Sequence, residues 1–153
     1  MSRKLLFWTL PFILLFLSWS DVDRNSSTSV DEVMVANELI SLVNDHRERI
    51  GKSLLIRNAT ADQLAAEHAA YMIALNKVNH DNYDKRWEVL EQKENAEEVT
   101  ENIGYDINAE KAVAECLKNI WLKANVEGDF THTGIAVKKD KNGKYYYTQL
   151  FFK

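Results

Sequence analysis

The stretch FTHTGIAVKKDKNGKYYYTQLFF, residues 130–152, decides the architecture. Residues 131–138 and 144–152 are rich in Thr, Val, Ile, Tyr and Phe, the β-branched and aromatic types that suit a pleated surface. Asn142-Gly143 between them favours a type I′ turn, so the two runs read as one β-hairpin. Alternate residues of a strand point to opposite faces. In the second run Tyr145, Tyr147 and Phe151 share one face, and Tyr146, Leu150 and Phe152 share the other. A strand that is apolar on both faces must be covered on both, which predicts a central strand between two helical layers.

The upstream sequence supplies those layers. Val35, Leu39, Leu42, Val43, His46 and Ile50 recur at three- and four-residue spacing and predict a helix, with Asp31 able to cap its start and Gly51 ending it. A second helix is expected from Thr60, where Thr60 and Gln63 have capping-box spacing. Its stripe is Leu64, His68, Tyr71, Met72 and Leu75, and Ala65, Ala66, Ala69 and Ala70 allow a neighbour to approach closely. Residues 79–83 read as a loop and 84–92 as a short charged helix turning Trp87 and Leu90 inward. Part of 97–107 reads as a strand. A third long helix is expected over 109–123, burying Val113, Cys116, Leu117 and Ile120. Helices followed by an antiparallel hairpin argue for an α+β fold over a parallel α/β sheet.

At 153 residues and 46% hydrophobic content, the chain has room for one domain with a real core. Its formal net charge of −4 disfavours polyanions, so no nucleic-acid partner is expected. Arg3 and Lys4 precede an apolar run, 5–19, broken only by Thr9, Pro11 and Ser18, and Ser18-Trp19-Ser20 offers the small residues of a cleavage site. Residues 1–20 therefore read as an export signal, 21–33 as a polar linker and 34–153 as the domain. The run falls short of the roughly 20 apolar residues that span a bilayer. Membrane contact is expected only in the alternative that this segment is kept as an anchor. Cys116 is the single cysteine, so no intramolecular disulfide can form, and it reads as a small apolar core residue.

Of the four histidines, His46 and His68 lie on helix stripes and read as neutral, hydrogen-bonded core residues. His80 differs, because it sits in a loop between Asn79 and Asp81. Five pieces in a fixed order carry a resemblance: Asn44-Asp45-His46-Arg47, the alanine-rich helix around His68, Asn79-His80-Asp81, Glu101-Asn102-Ile103-Gly104-Tyr105, and Phe130-Thr131-His132-Thr133-Gly134-Ile135. Together, over residues 35–152, they resemble the CAP superfamily of cysteine-rich secretory, antigen 5 and pathogenesis-related 1 proteins, in its compact bacterial form. The resemblance implies a three-layer α-β-α sandwich with a central antiparallel sheet.

The resemblance also matches His80 to the family's first pocket histidine and Glu101 to the glutamate of its Gly-Glu-Asn segment, and implies that the two converge on one cleft. Ala112-Val113 and the run from Asn125 to Gly128 fix a gapless alignment between them. Asn119 then falls on the family's serine, Trp121 on its glycine and Leu122 on its second pocket histidine. The expected cleft is His80, Glu101, Asn119 and Leu122; His132 reads as an independent position, with bordering the cleft as the alternative. A catalytic zinc site needs about three protein ligands, and leucine has no lone pair to offer. No metal, no cofactor and no catalytic residue is therefore expected. The resemblance implies a binding domain for an extracellular ligand, lipid or protein; the export signal makes it secreted or periplasmic, and a monomer is expected. The alternative is a weak hydrolase, a protease or a cell-wall-active enzyme, working through His80 and Glu101.

Overall fold

The computed structural model describes residues 29–153. The expected signal, 1–20, and most of the expected linker lie outside the described residues. The elements are α1 (Val30–Arg49), β1 (Ile56–Arg57), α2 (Ala59–Leu75), α3 (Tyr83–Glu94), β2 (Val99–Asp106), α4 (Ala109–Lys118), α5 (Ile120–Val126), β3 (His132–Lys139) and β4 (Tyr145–Phe152).

One four-stranded sheet runs β1-β3-β4-β2. Both long pairings are antiparallel, β3 to β4 and β2 to β4, while the two-residue β1 pairs parallel to β3. The sheet is therefore antiparallel except at one short edge. The hairpin forms with a different turn from the one expected. Asn142 is not at positive φ; only Gly143 is, at +82°. Gly143 N–H donates to Asp140 O, and the Asp140 carboxylate accepts from the backbone of Asn142 and Lys144. This longer loop needs one left-handed residue, where a type I′ turn needs two.

The alternation along β4 divides the core as its sequence predicts. Tyr147 and Phe151 pack with Ile135 and Val137 against Ala36, Leu39 and Val43 of α1 and Ala112, Val113 and Cys116 of α4. On the other face Leu150 and Phe152 pack with Val99 against Ala61 of α2 and Leu90 of α3, and Tyr146 meets Met72 and Ile103. The result is the three-layer sandwich, with α2 and α3 on one side and α1 and α4 on the other.

Local chemistry shifts several boundaries. Ser29, not Asp31, caps α1: its hydroxyl accepts from Glu32 N–H while the Glu32 carboxylate accepts from Ser29 N–H. The first turn of α1 thus occupies part of the span read as linker. The buried face of α1 is Glu32, Ala36, Leu39, Val43 and Arg47, while Ile50 is exposed. Arg47, only 1% exposed, donates to the carbonyls of Ser53, Val126, Gly128 and Phe130. It thereby ties the end of α1 to the segment leading into β3. Asn58, not Thr60, caps α2, and Thr60 hydrogen-bonds Glu94 instead. The face of α2 toward the sheet is chiefly alanine, with Ala61, Ala65 and Ala69 fully buried. A Cβ on Gly134 would lie 2.2 Å from the Ala61 backbone, so this strand position accepts glycine only.

The third long helix breaks. Asn119 leaves helical geometry at φ −85°, ψ 120°, and its Oδ1 accepts from Trp121 and Leu122 N–H, starting α5. Ile120, expected inside, is 75% exposed.

Candidate functional site

β2 carries Glu101 on the α2/α3 face of the sheet, where its side chain is 1% exposed. A lone carboxylate buried this way would be costly, so its partners define the site. Arg86, on the inward face of α3, supplies two: Nε donates to Oε2 at 2.7 Å and Nη2 to Oε1 at 2.8 Å. The third is His80, whose Nδ1 lies 2.8 Å from Oε1. A carboxylate oxygen accepts, so Nδ1 carries the hydrogen and Nε2 is the ring nitrogen left over. The His80 side chain is 58% exposed. The site therefore offers solvent one oriented imidazole on a buried ion pair.

The network continues inward. Arg86 Nη1 donates to the Asp81 carbonyl at 2.8 Å and to His68 Nδ1 at 3.1 Å. His68 Nε2 then donates to the Asn79 carbonyl at 2.7 Å, and the loop carrying His80 is held from both ends. Burial pushes the His68 pKa down, and the Arg86 charge pushes it further. Both ring nitrogens are committed, one as acceptor from a guanidinium, so His68 is locked neutral. This agrees with its reading as a core histidine. His46 is half-buried and bonds Glu127 at 2.8 Å through Nε2.

Of the five residues expected in or beside the cleft, the structure joins His80 and Glu101 by a direct hydrogen bond. Asn119 spends its side chain on the cap of α5. Leu122 packs against the α1/α4 cluster, and its carbonyl accepts from Asn102 Nδ2 at 2.9 Å. α5 does reach the neighbourhood, because Asn125 Nδ2 bonds Asn102 Oδ1 at 2.8 Å and the Glu101 carbonyl at 3.4 Å. His132 starts β3 and stacks on Phe152 at 5.2 Å, with Nδ1 bonded to Thr131 Oγ1. It makes no hydrogen bond to the His80–Glu101 pair. Sequence reasoning missed Arg86, although its position four residues before Leu90 places it on the buried helix face.

The donor set fits a divalent metal poorly. Both Glu101 oxygens face a guanidinium, whose positive charge opposes a cation there, and only His80 Nε2 remains uncommitted. Among the described residues no group of three His, Cys, Asp or Glu side chains could hold a metal ion. Cys116 offers no nucleophile to this site. Its side chain packs in the core on the opposite face of the sheet, and burial pushes the thiol up to about 11, partly offset by the Asn102 hydrogen bond.

Comparison with known proteins accords with this architecture. The profile of the CAP family, the cysteine-rich secretory protein family, matches residues 40–151. The chain belongs to that family. Among solved structures it is similar to an outer surface protein of Borrelia burgdorferi, with TM-score 0.69 and 18% identity over 76% of this chain and 90% of that one. It is also similar to an extracellular protein containing an SCP domain from Bacillus anthracis, with TM-score 0.70 and 21% identity over 83% of this chain and 44% of that one. A third similar structure is a cysteine-rich secretory protein of Staphylococcus aureus, with TM-score 0.66 and 14% identity over 84% of this chain and 41% of that one. The chain thus spans less than half the length of the latter two proteins. A comparison with curated proteins found no match.

Proposed function

We propose that this chain is an exported, non-catalytic CAP domain, a binding module for an extracellular lipid or protein ligand, built around a site that has lost its capacity for metal. One observation carries the reading: Arg86 forks onto both oxygens of Glu101 at 2.7 and 2.8 Å. The glutamate is spent in an internal ion pair, and the resemblance aligns Leu122 with the family's second pocket histidine. The extracellular and outer-surface descriptions of similar structures support export. Elemental analysis of the purified wild-type chain tests the metal half of the reading. Substoichiometric zinc is the expected result, and one zinc per chain, lost in His80→Ala, overturns it.

The exposed His80 ring favours a second reading. Its Nδ1–H is oriented by a carboxylate and its Nε2 faces out, the arrangement of a general base. A weak hydrolase would use that nitrogen to activate water. Turnover of a peptide or ester substrate that disappears in a folded His80→Gln variant would establish this reading, and turnover that survives the substitution rejects it.

A further inference from the structure

A concavity of about 280 Å³ lies between α2 and α3, lined by Leu64, Glu67, Tyr71, Asn82, Lys85 and Val89, with His68 and Arg86 beneath. Neither His80 nor Glu101 lines it. Its polar groups divide by commitment. His68 and Arg86 have every hydrogen-bonding atom facing the Glu101 network or a loop carbonyl, so they form a closed floor. The rim keeps hydrogen-bonding capacity to spare. Among the described residues the Lys85 and Asn82 side chains make no hydrogen bond or ion pair. Glu67, on the other helix, accepts only from Gln63 Nε2, at 3.0 Å. Tyr71 donates its hydroxyl hydrogen to Asp81 and keeps its oxygen free to accept.

Lys85 and Glu67 are opposite charges lining one crevice from different helices, and they do not pair with each other. Leu64 and Val89 add apolar surface to the same crevice. A ligand that satisfies all of this carries an anion and a cation on one short frame with an apolar arm. The volume falls just below the roughly 300–1,000 Å³ of drug-sized pockets, which limits the ligand to a small molecule. We propose that this crevice binds a free zwitterionic amino acid with an aliphatic side chain. Its carboxylate sits on Lys85 with Asn82 beside it, its ammonium on Glu67, and its side chain against Leu64 and Val89. His80 and Glu101 do not line the site, although its floor, Arg86 and His68, belongs to their network.

Isothermal titration calorimetry on the full chain in detergent micelles tests this with L-leucine as the probe. The expected result is saturable heat with a dissociation constant of about 1 mM or tighter, equivalent to roughly 4 kcal/mol. Leucinamide, which lacks the anion, and 4-methylpentanoate, which lacks the cation, should each bind at least tenfold more weakly. Lys85→Gln and Glu67→Gln should each weaken leucine at least tenfold; both positions are exposed on helices, where glutamine is well tolerated. Lys118→Gln, at an exposed α4 position outside the crevice, should bind leucine as the wild type does. Absence of saturable heat, equal binding of the three compounds, or unchanged affinity in both variants overturns the proposal.

Discussion

His68 and His80 belong to one hydrogen-bonded chain, yet their partners give them opposite characters. His80 donates to a carboxylate and shows its other nitrogen to solvent; His68 accepts from a guanidinium and is sealed in. The His68 pKa lies below its ordinary value of 6.5, so the unfolded chain binds a proton that the folded chain refuses. Stability from this residue is complete above the ordinary value and is lost as pH falls through it toward the depressed folded value. Urea titrations between about pH 7 and pH 5 should show the wild type losing stability on acidification. The slope should be shallower in His68→Gln, and an identical slope in the two proteins would remove the argument. His80 was legible as a candidate because it is a loop histidine within a recognisable motif. Arg86 was not, because an arginine in a charged helix reads as a solvated side chain until the carboxylate it meets comes from a distant strand.

At the scale of elements, the positions misread from sequence are mostly helix ends. Ser29, Asn58 and Asn119 take the capping roles, and Asp31 and Thr60, which the local sequence favours for two of them, do other work. Each is a short polar side chain competing for the same backbone donors, and the winner depends on where the helix axis is held by packing. Asn119 shows the consequence most clearly: its cap splits one expected helix into two and turns Ile120 outward. The contact between α2 and β3 leaves no room for a side chain at Gly134. Gly134→Ala would drive a methyl into the Ala61 backbone, and overpacking of this kind costs about 1–3 kcal/mol. Thermal denaturation should show a lowered midpoint for this variant. Unchanged stability would mean that α2 can lift from the sheet without penalty.

At the scale of the molecule, the sheet is the shared wall of two apolar layers, so neither layer can lose its packing without exposing the other through β4. This predicts a single cooperative transition. In a variant with Trp8, Trp19 and Trp121 replaced by Phe, urea unfolding followed by far-ultraviolet circular dichroism should coincide with unfolding followed by the fluorescence of Trp87, on the α2/α3 side. Separated midpoints would show that the layers unfold independently. Arg47 reinforces the coupling, since one side chain joins the end of α1 to the carbonyls that precede β3.

The sequence alone determined the hairpin, the two-faced β4, the α+β class and the family, because each rests on local periodicity or on the order of motifs along the chain. It also named His80 and Glu101 as partners, through resemblance. Only the tertiary structure decided what holds them. A guanidinium from α3, a carboxylate from β2 and an imidazole from a loop meet because three elements are packed on one face of the sheet. Hydrogen bonds between side chains distant in sequence leave no periodic trace, so neither the Arg86 fork nor the uncommitted charges of the neighbouring crevice could be read before the chain was folded.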